Sequence, residues 1–242
     1  MSTLKGNLIT SQEVYTESST QGIDLGALAT TGDGRSFRYF LNGALATVAG
    51  KVYQGPAQDA TNQSPAGGLA TAAATAGTYA VTLTGTLTLA KDLLAGGFMS
   101  VAVTPGLGYT YKIKGNTAVV AAANCVVTLE DPIKVAFTTA TSVVMHKNPY
   151  NGCVVAPTTL TAAPVGIATT VVTAAYYGWL QTHGPCTALV TGTLGSPGLS
   201  VGVLVGGTEG SLAPCIAGTN ILGYTSGISA TGEYDQVFLV ID

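Results

Sequence analysis

Apolar and polar residues alternate with a period of two along most of this chain, and Thr and Val fill many of the alternating positions. The pattern runs through TYAVTLTGTLTLA (78 to 90), YTYKIKG (109 to 115), NCVVTLE (124 to 130), IKVAFTTA (133 to 140), TALVTGTL (187 to 194), LSVGVLV (199 to 205) and QVFLVID (236 to 242). A pleated strand sends successive side chains to opposite faces, so this spacing suits a half-buried sheet and does not suit a helix. The stiff χ1 of β-branched residues favours the same state. Turn residues punctuate the runs at TPGLG (104 to 108), KGN (114 to 116), EDP (130 to 132), KNPYNG (147 to 152) and GSPG (195 to 198). The expectation is a mainly β protein with a sandwich or barrel-like body. Two Ala-rich stretches, GGLATAAATAG (67 to 77) and NTAVVAAAN (116 to 124), could form short helices, but Thr and Gly interrupt them and strand signals flank both.

A chain of 242 residues can hold one large β domain or two smaller ones. Residues 1–32 are polar and acidic (Glu13, Glu17, Asp24) with few strand runs, which suggests an extended N-terminal arm that orders only against a partner or another subunit. The loop-like GPAQDATNQSPAGG (55 to 68) follows the first hairpin, and charged residues stop abruptly after KNPYNG. The expected organisation is an arm and first hairpin over 1–64, a β lobe over 65–150 and a charge-poor β lobe over 151–242. No repeat of fixed period emerges.

Charged residues make up only 9% of the chain while hydrophobic ones reach 47%, and residues 148 to 208 contain no Asp, Glu, Lys or Arg. A solitary domain relies on charge for solubility, so this surface is expected to be covered by another molecule. The net charge is −3 and the nine basic residues lie mostly apart, which argues against nucleic-acid binding. The start lacks the apolar core of a secretory signal, and the most apolar windows are broken by Pro, Gly and Thr, so neither secretion nor a membrane span is expected.

Chemistry-bearing constellations are sparse. Cys125, Cys153, Cys186 and Cys215 form no CxxC pair and read as buried small hydrophobes. His183 and Cys186 stand three apart, on opposite faces of a strand, with Gly184-Pro185 expected to add a turn. His146 sits at a strand end, and Glu130-Asp131 before Pro132 reads as a turn. GDGRSF and TPGLGYTY fit no phosphate loop, and GxSxG is absent. No catalytic, cofactor-binding or metal-binding residue is therefore expected. In YYGWLQTHGP (176 to 185), alternation puts Tyr177 and Trp179 on one face and Tyr176 on the other, with Gly178 allowing a close approach or a bulge. Trp179 anchors either the local core or a subunit contact.

Six segments, in order, carry a resemblance: GDGRSFRYFLNGALATVAGKVYQGPA (32 to 57), YTYKIKGN (109 to 116), VTLEDPIKVAF (127 to 137), MHKNPYNGCVVAPT (145 to 158), YYGWLQTHGPCTALVTGTL (176 to 194) and TGEYDQVFLVID (231 to 242). Together they resemble the capsid decoration or cement proteins of tailed bacteriophages. The resemblance implies a non-enzymatic structural protein, made in the host cytoplasm, that binds the outer surface of an assembled capsid and stabilises it. Its implied partners are the major capsid protein and itself, as a homotrimer first and a dimer second. His183 stands where that pattern often has Arg after QT, so a charged contact there does not transfer.

Arg35, Arg38, Tyr39 and Phe40 lie in the first strand beside the arm and, with Trp179, are the interface candidates, because Arg and aromatic residues anchor interfaces. The plainer reading has Phe37 and Tyr39 facing the β core and both arginines solvated. A tail or surface adhesin recognising a receptor or glycan is the alternative function, although neither repetitive shaft sequence nor loops pairing aromatics with carboxylates are evident. A β-scaffold hydrolase lacks a credible acid/base pair.

Overall fold

A computed structural model describes residues 7–85, 87–120, 123–203, 207–216 and 220–242. The described residues are almost all β, with 40% strand and 1% helix, in two sheets. The strands are β1 (Asn7–Leu8), β2 (Leu28–Thr30), β3 (Ser36–Asn42), β4 (Val52–Gln54), β5 (Leu69–Ala70), β6 (Ala80–Leu83), β7 (Phe98–Val103), β8 (Thr110–Asn116) and β9 (Cys125–Leu129). They continue with β10 (Ser142–His146), β11 (Asn151–Val155), β12 (Pro164–Ala168), β13 (Tyr177–Leu189), β14 (Ser200–Gly202), β15 (Ala213–Pro214), β16 (Gly223–Thr225) and β17 (Tyr234–Val240). The described parts of the two Ala-rich stretches form no helix.

Two compact units divide the chain: residues 57–148 form one, and residues 1–56 with 149–242 form the other. The first segment therefore groups with the last lobe, where the sequence suggested a separate arm and hairpin ending at residue 64. The reason is pairing: β3 is hydrogen-bonded to β11 and β13.

In the unit of residues 57–148, six strands run in the order β5-β10-β7-β8-β9-β6. A bridge between Thr71 and Leu83, just beyond β5 and at the end of β6, brings the two edges together into a nearly closed barrel. Alternation fills its interior. Met99 and Val101 of β7, Tyr111 and Ile113 of β8, Cys125, Val127 and Leu129 of β9, and Val143 and Met145 of β10 are all buried in one cluster. Intervening residues face outward, as the period-two pattern requires.

The other unit is built on a ring. β3 pairs with β11, β11 with β4, β4 with β12, β12 with β13, and β13 again with β3. Phe40, Tyr53, Cys153, Val165, Ala168 and Leu180, contributed by all five strands, pack inside with Val172. Close approach across the ring depends on glycine. At Gly166, with φ +154°, a Cβ would lie 2.8 Å from Leu180 Cβ and 2.9 Å from the Gln181 carbonyl. Gly178 is the expected close approach: a Cβ there would lie 2.8 Å from Val172 Cγ2.

β13 outruns the ring. It continues for 13 residues, through the expected turn at Gly184-Pro185, and pairs with β17 from His183↔Val240 to Leu189↔Tyr234. Proline is tolerated because β3 has already left at His183↔Ser36, so Pro185 lies on an unpaired edge and costs no ladder bond. β17, β16, β14 and β15 extend the sheet, and their inner side packs on the outward residues of the ring, Val52 and Ile167. The result is a sandwich sharing β13.

Candidate interaction surface

Residues 7–30 form a strap folded onto their own chain, which corrects the expectation of an arm ordered only by a partner. β1 pairs with β2 and β2 with β3. Ser18 and Tyr177 exchange both backbone hydrogen bonds, at 3.0 and 2.8 Å. The Glu17 carboxylate accepts from the Thr173 backbone N–H and hydroxyl. Beneath the strap, Ile9, Val14, Ala29 and Phe37 form a buried cluster against which Trp179 packs. Burying this apolar area offsets the entropy of ordering the strap. Residues 1–6 lie outside the described part.

Trp179 and Tyr177 share a face, as alternation predicts, and Tyr39 lies between them. Its ring stacks on Tyr177 at 5.9 Å and meets Trp179 edge-on at 5.1 Å. Tyr176 packs against the ring interior. Such aromatic pairs add about 1 kcal/mol each beyond their buried area. The Tyr39 hydroxyl accepts from the Gly22 N–H at 3.1 Å, which completes the strap's attachment.

The remaining candidates are held by partners within the chain. Phe40 is fully buried inside the ring and exposes nothing to an interface. Arg35 donates to Asp33 at 2.9 Å and lies over the Phe37 ring at 5.5 Å. Arg38 grips Asp242 through two bonds, Nε to Oδ2 at 2.8 Å and Nη2 to Oδ1 at 3.2 Å, and donates a third to the Gly26 carbonyl. Its guanidinium is pushed above its ordinary value mainly by the hydrogen bond to Asp242, against some desolvation. Burial works to raise Asp242, but the Arg38 and Thr182 hydrogen bonds and the Arg38 charge outweigh it, so the carboxyl sits below its ordinary value. Nearby, burial pushes the Tyr150 phenol up to about 12. Neither arginine is simply solvated.

Burial also raises the thiols of Cys125 and Cys153, and that of Cys186 to about 12, so these three are packing groups. All four cysteines are free. His183 makes an edge-to-face contact with Phe238 at 5.3 Å, while the Cys186 side chain packs into the core on the sandwich's inner side. Among the described residues no three His, Cys, Asp or Glu side chains gather at metal-binding distances, and no helix is long and apolar enough to cross a membrane.

The far face of β13, β17 and β16 points outward. Register places Pro185, Phe238 and Tyr224 in one row across three strands, with Ser200 of β14 next to Tyr224. Phe238 is 41% exposed and Tyr224 42%. His183, Thr187 and Gln236 flank the row, and the face is free of formal charge along these positions. The alternation of QVFLVID shows that Phe238 faces away from Leu239. Sequence reasoning missed the row because the pairing of Tyr224 with Phe238 is a matter of register. No family model, curated protein or solved structure matches this chain.

Proposed function

We propose that this chain is a non-enzymatic structural protein that binds the outer surface of an assembled phage capsid and stabilises it. The carrying observation is the outward face of β13, β17 and β16, whose row of Pro185, Phe238 and Tyr224 is uncharged and carries two exposed aromatic rings. Exposed apolar faces of this kind mark sites that another molecule covers, and the six ordered segments that resemble decoration proteins name the class of partner. The partners are the major capsid protein and further copies of this chain, with a homotrimer favoured, and no nucleic acid or membrane is involved. The protein is made in the host cytoplasm and resides on the virion exterior. Individual contacts need not be strong, because many copies on a symmetric lattice raise the effective concentration of each.

The test mixes purified protein with expanded capsids that lack it, pellets the particles and counts bound copies. Saturation at a fixed ratio to capsid subunits is the expected result. A Phe238→Glu, Tyr224→Glu double variant should fold and lose that binding, since a charge on the row must be desolvated on contact. Absence of binding by folded wild-type protein would move the reading to a tail or surface adhesin.

A further inference from the structure

We propose that the gap beside residues 185–187 in β13 is a binding site for one or two units of a neutral saccharide. β3 pairs with β13 as far as His183↔Ser36, and Leu189 N–H bonds to the Gly50 carbonyl at 2.8 Å. Between these points no strand covers that edge among the described residues, and Pro185–Thr187 border a cavity of about 440 Å³. That volume falls in the range of small-molecule pockets.

The walls select the ligand's chemistry. Among the described lining residues Arg35 carries the one formal charge, already paired with Asp33, and none is a carboxylate, so an uncharged ligand fits best. Tyr15 and Tyr234 stand in the walls, each about half exposed. Tyr234 is held in place: its ring lies so close to Gly50 that a Cβ there would be 2.6 Å away, and Gly50 sits at φ +78°. The electron-rich face of a fixed tyrosine attracts the polarised C–H groups of a sugar ring. Hydroxyl-matched polar groups complete the lining. Gln181 spends its amide N–H groups on the carbonyls of His183 and Pro185, at 3.1 and 2.7 Å, which leaves its own carbonyl as an acceptor. Thr187 and Gln236 add further donors and acceptors, and the buried Thr169 hydroxyl oxygen has no hydrogen-bond partner. A sugar hydroxyl both donates and accepts, and suits this mixture.

An extended peptide adding a strand to the same edge fits less well. Pro185 offers no N–H and its carbonyl is occupied by Gln181, so the edge is blunted where pairing would begin.

The site shares Pro185, Thr187 and Gln236 with the face assigned to capsid contact, so a bound capsid would cover it, and its test uses the isolated full chain so that the two readings fail separately. Isotope-labelled protein is titrated with glucose, galactose, N-acetylglucosamine, maltose, lactose and chitobiose while backbone amide resonances are followed. At least one sugar should saturate shifts of the Thr169, Thr187 and Gln236 amides, with a dissociation constant of about 1 mM, a common starting affinity for a small site. Tyr234→Ala and Tyr15→Ala should each weaken that binding about tenfold, the loss expected from one stacking contact. If Tyr234→Ala proves unfolded, Gln236→Leu takes its place. The proposal is overturned if no sugar gives saturable shifts, if the folded variants bind as tightly as wild type, or if sodium phosphate moves the same amides in preference to every sugar.

Discussion

Replacing Phe40 with Ala separates two roles that the sequence allowed for one residue. As an interface anchor, Phe40 would contribute little to the isolated subunit, and its loss would show only in assembly. The structure places it inside the five-stranded ring with Tyr53, Cys153, Val165, Ala168, Val172 and Leu180, fully shielded from solvent. Truncating a buried Phe costs about 3–5 kcal/mol, depending on how far the surroundings collapse into the space left behind. Collapse is restricted here. β3 is hydrogen-bonded to β11 on one side and β13 on the other, and the ring closes through β4 and β12, so no wall can move alone. The facing position on β13 is Gly178, which has no side chain to move into the gap. The expected loss is therefore in the upper half of the range, about 4 kcal/mol. At about 2–4 °C per kcal/mol for a domain of this size, the melting temperature falls by roughly 8–16 °C. Circular dichroism melts and urea titrations of the isolated protein measure this directly. A folded variant that melts within about 1 °C of wild type, a shift too small for any core truncation, would refute the placement of Phe40 in the core.

Three further outcomes follow from the geometry. The folded-state value of Asp242 lies below the ordinary 3.8, so its contribution is fully present above that pH and is lost as pH falls through the lowered value. Because the pair with Arg38 is partly exposed, Asp242→Asn should cost about 1 kcal/mol or less at neutral pH, with the difference vanishing in acid; an equal difference at pH 2 and pH 7 would contradict the pairing. With a thiol reagent at pH 8, half-buried Cys215 should be modified first, while Cys125, Cys153 and Cys186 react only after denaturant is added. Mass spectrometry of the labelled peptides checks the order, and labelling of Cys186 as fast as Cys215 would contradict its burial. Gly223→Ala would put a Cβ 2.4 Å from the Phe238 carbonyl oxygen and 3.2 Å from Leu239 Cα, both backbone atoms of the paired strand, so about 2–3 kcal/mol should be lost in urea unfolding.

Local patterning carried a good part of this fold. Alternation in NCVVTLE, YTYKIKG and QVFLVID identified strands and their buried sides, because the period of a strand follows from the backbone alone. The same rule put Tyr177 with Trp179 and apart from Tyr176, and a glycine within the strand run pointed to a close approach or a bulge at Gly178, of which the close approach is found. The turn expected at Gly184-Pro185 is absent because proline's cost depends on whether a neighbouring strand needs its N–H, and that neighbour is remote in sequence.

The sequence by itself determined that this chain is a sheet-former with little charge to spare, and which side of each strand is apolar. Only the tertiary structure decided which strand lies beside which: that β3 closes a ring with β13, that the strap covers Trp179, and that Arg38 reaches Asp242 across 204 positions of chain. Period-two alternation sets a residue's face but carries no information about its partner. Partners are selected by register, ring closure and the small residues that permit close approach, and these act only once distant segments meet.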